Sequence, residues 1–464
     1  GLAALKTVLD SANFKNGTCR PVLFESRKNI GGIWHVYRPP LPAPHSVEPP
    51  ATPLYDSLTT NLPHPVMAYT SYCFPPETPI FPKASHVQSY LESFTDHFKL
   101  WPYIRLDSRV DLVTREDERW KIRVNGELAC TCEHLIVANG HYNVPRYPDA
   151  PGLDKWLAEN KASHSAWYRR PGDFGDCVLV VGGGPSGSDI TNELRKTTKR
   201  VIHASAENTP VTEGNVVRKG RVAAFKDNNV AFFEDGSTES GIDYCIVATG
   251  YEMAFPFLPE DVLKLDLATT LPSPLLNSTY HVFPLAEHIF PIQQDTFPPS
   301  SIAFLGLPIR VSPFPLLEAQ AAAAVHVFTH PEALEIAHEA DKIRLRGAAL
   351  RTKIGNDPVL LADAWHRFEA HEQFDYRDAL YKFSGVPVVA ADWEKEMYDN
   401  KGTLRAFWVD IERRGEQEAW LKGVGVNGIQ DWVDLLRRML EAARSQKITL
   451  IEGYVDETAS VVTA

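Results

Sequence analysis

The sequence has no C-x-x-C pair: its six cysteines, at positions 19, 73, 130, 132, 177 and 245, are scattered through 464 residues. That spacing excludes a zinc ribbon, a dithiol redox centre and a secreted disulfide framework, and points to a reduced, cytoplasmic protein. Positive charge is also in short supply. With 47 Lys and Arg against 59 Asp and Glu the formal net charge is -12, and no basic run gathers the cations that phosphate binding requires, so no nucleic-acid partner is expected. Long apolar runs are absent. The stretch at 319–327 falls far short of the roughly 20 residues of a spanning helix, so no membrane partner is expected either. Repeats and low-complexity tracts are missing apart from a Pro-rich stretch at 39–53, read as an irregular connection bordering an access channel. No signal-peptide pattern follows Gly1.

What is present is an ordinary globular composition, 44% hydrophobic, at a length that suggests two or more domains. Two segments carry nucleotide-binding chemistry. In the first, residues 1–9 read as an apolar helix and 21–24 as a short strand closed by Glu25, half of a βαβ unit. An acid at that place, about 20 residues beyond a glycine fingerprint, binds ribose hydroxyls in dinucleotide folds. If Gly1 is the last glycine of that fingerprint, the first strand and two earlier glycines, roughly ten residues, precede the sequence given. A chain truly beginning at Gly1 is expected to hold its dinucleotide poorly. Taken alone, the segment is equally an amphipathic helix followed by a strand. Downstream, a Gly31-Gly32 turn brings backbone close to a partner, and Ile33 and Trp34 follow, the tryptophan offering a flat apolar face.

The second segment is complete. Residues 177–181 read as a buried strand, Gly182-Gly183-Gly184-Pro185-Ser186-Gly187 is a full G-x-G-x-x-G, and 188–196 continues as a helix. Strand, glycine loop and helix together point to a dinucleotide site, the alternative being a glycine-rich turn without a ligand. The next strand, 200–205, ends in His203 and Ser205 rather than an acid that would hold a 2′-hydroxyl and repel a 2′-phosphate, which favours NADPH over NADH. Ser205 is the candidate phosphate contact, with Lys199, Arg200, Arg218 and Lys219 as unranked cationic partners. Two nucleotide sites suggest hydride transfer from NADPH to FAD. With no C-x-x-C pair to receive the electrons, oxygen is the remaining acceptor.

Other motifs extend this picture: Tyr55-Asp-Ser-Leu-Thr-Thr-Asn61, Val137-Ala-Asn-Gly-His-Tyr142, Ala248-Thr-Gly-Tyr251 with Phe255-Pro-Phe, His288-Ile-Phe290, Ala303-Phe-Leu-Gly-Leu and Pro313-Phe-Pro-Leu-Leu-Glu-Ala-Gln320. Through them, and through Glu25 with Gly32-Ile33-Trp34, the chain resembles the flavin-containing monooxygenases over roughly residues 1–330, the fungal and yeast-like members most. The family's identifying motif, F-x-G-x-x-x-H-x-x-x-Y/F, is matched by His164 and Tyr168, while Ala158 and Asn160 stand at the Phe and Gly positions. Baeyer–Villiger relatives carry Trp followed by Pro or Asp where this chain has Tyr168-Arg169, which tilts toward nitrogen or sulfur oxygenation.

The resemblance implies an α/β fold with two Rossmann-like dinucleotide-binding domains. The FAD domain is discontinuous, 1–150 and 252–464, the NADPH domain at 151–251 is inserted, and the C-terminal extension is helical. It implies an NADPH-dependent monooxygenase of the N,N-dimethylaniline type that forms a flavin hydroperoxide with O2 and oxygenates a nucleophilic N or S atom of a small molecule. Baeyer–Villiger oxygenation and a non-catalytic relative remain as alternatives, and a homo-oligomer is left open. Asn61 is the expected catalytic residue, a neutral amide able to donate and accept without titrating. FAD contacts are assigned to Gly1, Glu25, Gly32, Ile33, Trp34, Thr60, Asn61, Leu62 and Val110, and NADPH contacts to Gly182, Gly184, Pro185, Ser186, Gly187 and Ser205.

Each assignment has a plainer counterpart. By local sequence alone Asn61 before Pro63 is an Asx turn, Val110 a buried strand valine and Trp34 a core residue. His164 reads as domain packing rather than a base, and His326 with His330 as surface histidines rather than metal ligands. A helix over 313–328, opened by proline, would aim its positive end at the flavin. Further helices are expected at 85–100, 358–371 and 430–444, a hairpin at 119–126, and a cap on the FAD domain from 331 onward.

Overall fold

Cys177–Val181 is buried on both faces, as a strand inside a parallel sheet must be. In the computed structural model, which describes residues 1–35, 49–172 and 174–446, this strand lies within a six-stranded sheet. The order is Val211–Glu213, Val216–Lys219, Arg200–Ala204, Cys177–Val181, Tyr244–Val247, Ala162–His164. All neighbours run parallel except the edge hairpin formed by the first two. The crossover helix is Pro185–Leu194 rather than 188–196, because the proline's fixed φ suits the first helical position and starts the helix inside the glycine motif.

The N-terminal part follows the same pattern in pieces. Helix Leu2–Asp10 precedes strand Leu23–Phe24, which runs parallel to Ile104–Arg105. A second parallel pair joins Leu135–Val137 to Ile302–Phe304. Among the described residues no strand joins the two pairs. Helix Pro313–Thr329 packs along Leu2–Asp10, and the alanines of both, Ala4 with Ala319, Ala321, Ala323 and Ala324, share one core with Ala303 and Leu305. Small side chains permit that close approach. Strands Val110–Glu116, Arg119–Val124 and Glu127–Cys132 form an antiparallel sheet. Its tight turn places Asn125 (φ 51°) and Gly126 (φ 83°) in the left-handed region, as a two-residue hairpin requires.

From residue 331 the chain is mostly helical. Ala84–His97 stands for the helix expected at 85–100, and Ile429–Ser445 for that at 430–444. The helix expected at 358–371 ends instead at Trp365, and a new one, Glu372–Phe383, follows. The break falls at His366, whose ring is drawn into the core by a hydrogen bond with His288 (Nδ1 to Nδ1, 2.8 Å). Trp408, Trp432, Leu436 and Met439 of the C-terminal helices share a core with Val66, Met67, Phe74 and Tyr90, so they roof the segment that follows Asn61. Burial of each large apolar side chain contributes about 1.5–3 kcal/mol. Among the described residues no helix is long and apolar enough to cross a membrane. The Pro-rich connection expected at 39–53 lies mostly outside the described residues.

Candidate functional site

Close packing forces the glycine loop after Cys177–Val181. Gly182 adopts φ +128°, and a Cβ there would meet Ala248 O at 2.2 Å; one on Gly187 would meet Gly182 O at 2.0 Å. Gly182 N donates to Ala204 O at 2.8 Å, holding the loop at the carboxyl end of the sheet. Gly184 caps the helix with no side chain and nothing within 4 Å of its Cβ position, while Pro185 and Ser186 open the first turn. Backbone N–H groups at such an uncovered helix start, with the helix dipole behind them, form a ready site for a pyrophosphate.

Strand Arg200–Ala204 stops one residue before Ser205, which is buried beside the loop: a Cβ on Gly183 would lie 3.0 Å from Ser205 Oγ. His203 donates through Nε2 to Gly182 O at 2.9 Å, and burial lowers its pKa, so the imidazole is a neutral brace beneath the loop. The four candidate cations are all turned toward acids. Lys199 pairs with Asp176 at 2.7 Å, Arg200 with Glu239 at 2.7 Å, Arg218 with Glu213 at 3.3 Å and Lys219 with Glu239 at 3.3 Å.

On the other side of the molecule's nucleotide-binding chemistry, Gly1 caps helix Leu2–Asp10 and rests on Leu23, whose Cδ1 would be 3.1 Å from a Cβ. Glu25 closes the strand; its Oε1 accepts from Arg27 N at 2.9 Å, and its backbone bonds Arg105 and Ser108. Gly31 (φ +105°) packs so tightly that a Cβ would lie 1.9 Å from Gln88 Oε1, and Gly32, Ile33 and Trp34 form the short 3-10 turn that follows. Trp34 is half-buried against one core, and Val110 opens its strand half-buried against the core that holds Val113 and Trp120.

Asn61 is exposed between two buried neighbours, Thr60 and Leu62. Thr60 N donates to Pro82 O at 3.0 Å and its hydroxyl to Leu62 O at 2.8 Å, while His64 N donates to Ile80 O at 2.8 Å. This lattice turns the amide outward and fixes its backbone. Ser312 caps helix Pro313–Thr329: its N–H donates to Gln373 Oε1 at 2.6 Å, and its hydroxyl is buried without a hydrogen-bond partner. A buried unpartnered hydroxyl at the positive end of a long helix suits an electron-rich ring edge.

Sequence reading missed the long-range ties within and between these parts. Tyr55 OH donates to Asp189 on the crossover helix, and Tyr168 OH to Glu193 one turn on. Asp56 N donates to Arg169 O and Arg169 Nη2 to Thr52 O, both at 2.7 Å. Glu318, inside the Pro313 helix, accepts from Thr70 N at 2.6 Å and from Ser71 Oγ. All are long-range contacts between residues that sequence spacing cannot pair. His164 sits between the rings of Tyr147 (5.5 Å) and Tyr251 (5.2 Å), and its Nδ1 accepts from Ala166 N at 3.1 Å. Burial lowers its pKa to about 4, so it is a neutral residue packed between two aromatic rings. Asn160 holds φ 55°, a conformation that asparagine tolerates best after glycine. The ring of His326 stacks on that of His330 at 4.9 Å, and among the described residues no cluster could hold a metal ion.

Comparison with known proteins fits this geometry. A family model described as flavin-binding monooxygenase-like matches residues 1–213 and 208–334. A thiol-specific monooxygenase of Saccharomyces cerevisiae is 31% identical over 326 residues, 66% of this chain and 70% of that protein. A senecionine N-oxygenase of Tyria jacobaeae is 30% identical over 278 residues, 57% and 58% of the two chains. The solved structure of S-allyl-L-cysteine S-oxygenase from Allium sativum superposes with a TM-score of 0.72 at 24% identity, covering 96% of this chain and 97% of its own. The fold is therefore the mixed α/β architecture with two Rossmann-like nucleotide-binding regions and a helical C-terminal part.

Proposed function

Because the chain belongs to the flavin-binding monooxygenase-like family, whose members are FAD- and NADPH-dependent, we propose that it takes hydride from NADPH and delivers one oxygen atom of O2 to a nucleophilic sulfur or nitrogen of a small molecule. The observation that carries this reading is Asn61, an exposed neutral amide held between buried Thr60 and Leu62 on a segment tied to the nucleotide-binding helix through Tyr55 and Asp189. In this reading residues 1–150 and 252–464 build the FAD-binding part and 151–251 the NADPH-binding part.

Bound FAD supplies the two-electron carrier between NADPH and O2. Glu25 would take its ribose hydroxyls, and Gly1, the Gly32-Ile33-Trp34 turn and Val110 would hold the rest of it. The loop of Gly182, Gly184, Pro185, Ser186 and Gly187, with Ser205, would hold NADPH. Asn61 offers a donor and an acceptor to the reacting atoms and brings no titrating proton. Leu62 and Val66, packed in one core with the C-terminal helices, give the site a rigid apolar floor. The substrate's own lone pair is the nucleophile, so no side chain need act as a base. The names of the thiol-specific and N-oxygenating relatives support sulfur and nitrogen as targets.

The test is NADPH oxidation by the full-length protein with FAD, offered a thioether, a tertiary amine and a cyclic ketone. Sulfoxide or N-oxide formed in step with NADPH consumption supports the reading. Lactone from the ketone alone overturns the choice of target, and absence of NADPH oxidation makes the chain a non-catalytic relative.

A further inference from the structure

Beyond Ser205 the chain turns back: Asn208 N donates to Ser205 O at 3.2 Å and Asn208 Nδ2 to His203 O at 2.8 Å. The turn carries the exposed Glu207 back to the glycine loop. A Cβ on Gly183 would lie 3.6 Å from a Glu207 carboxylate oxygen and 3.0 Å from Ser205 Oγ. Sequence order alone leaves the second strand without an acid; the turn supplies one from two residues further on.

An acid beside this glycine loop, here against Gly183 between the motif's first two glycines, accepts hydrogen bonds from the adenosine ribose diol and repels a 2′-phosphate. The usual compensation is a guanidinium or ammonium free to pair with the phosphate. Here the cations nearest the strand end are engaged: Arg218 faces Glu213, and Lys219 faces Glu239 and donates to Ser237 Oγ at 3.1 Å. Ala206, between Ser205 and Glu207, brings no donor.

We propose that Glu207 is the residue that sets nicotinamide-cofactor choice, taking the ribose hydroxyls of NADH so that the enzyme accepts NADH alongside NADPH. The assignment rests on the reading of 182–187 as the nicotinamide-nucleotide loop. Ser205 then serves the hydroxyl or the phosphate, as a hydroxyl group can, while the carboxylate narrows the margin between the two cofactors.

The experiment is calorimetric titration of the FAD-loaded full-length protein with ADP-ribose and with 2′-phospho-ADP-ribose, in the wild type and in Glu207→Gln and Glu207→Arg. In the wild type the two nucleotides are expected to bind within about tenfold of each other. Glu207→Gln should tighten the phosphorylated form about fivefold, the size of one unit charge acting at a few ångströms in water, and weaken ADP-ribose; Glu207→Arg should do both more strongly. Steady-state kcat/KM for NADH against NADPH should move in parallel. A wild type that prefers the 2′-phosphate by about a hundredfold or more, unchanged in Glu207→Gln, overturns the assignment. If neither nucleotide binds a folded protein, the nucleotide reading of the loop itself falls, and that failure is distinct.

Discussion

Tyr55 and Asp189, 134 residues apart, are joined by a hydrogen bond in which the phenol donates to the carboxylate. Burial raises the Asp189 pKa and pushes the Tyr55 phenol well above its usual range, so the phenol keeps its proton. The bond connects the helix behind the glycine loop to the strip of chain that ends in Asn61. Under the proposed function this bond is the direct mechanical link between the nucleotide loop and Asn61.

Tyr55→Phe is expected to fold, to lose about 1 kcal/mol of stability, and to leave the carboxylate short of a partner. Its functional mark should be a lower yield of product per NADPH at unchanged nucleotide affinity. A double-mutant cycle with Asp189→Asn checks this: additive effects on coupling would dissociate the two residues.

Asn61→Ala should continue to oxidise NADPH while product falls about tenfold, the scale of one lost hydrogen bond of about 1.4 kcal/mol, with hydrogen peroxide making up the difference. Quantifying peroxide and sulfoxide in the same reaction is the check. Unchanged coupling removes Asn61 from the site.

Gly187→Ala would bring a methyl group within 2.0 Å of Gly182 O. The loop must move to accept it, so nicotinamide-nucleotide affinity should drop at least about tenfold while flavin content stays near wild type. Titration with NADP+ and the flavin absorbance of purified protein separate the two.

Acid lability follows from buried imidazoles. Burial lowers His164 and His281 to about 4 and His64 to about 3, from an ordinary 6.5. Because the folded state refuses these protons, the stability they contribute is complete above pH 6.5 and is lost as pH falls from there toward 4, by up to about 1.4 kcal/mol per pH unit for each histidine. Chemical denaturation at a series of pH values should show a plateau above 6.5 and a steepening loss below; a flat profile from pH 7 to 5 would contradict the burial of these rings.

Much of this was legible in local sequence. The strand Cys177–Val181, its glycines and the proline that starts the next helix are read within a short window, because double-sided burial and backbone geometry are local demands. Glu25 at its strand end was legible for the same reason. His366 was not: helical periodicity runs through it, and only the partner His288 explains the break. The position of Glu207 beside Gly183 was not legible either, because it lies past the strand end and only the turn closed by Asn208 brings it back. The ties from Tyr55 to Asp189 and from Glu318 to Thr70 depend on elements meeting in space, which spacing does not encode.

The ring of Trp432 stands edge-on to His64 at 4.3 Å, and only glycine fits at 425 beside it, since a Cβ there would come within 2.7 Å of the indole. The strip that follows Asn61 and its cover are thus far apart in the chain, and Val66 and Met67 reach full burial only once helix Ile429–Ser445 has docked on them. A chain cut before Trp432 would keep the glycine loop at 182–187 and leave His64, Val66 and Met67 without part of their cover.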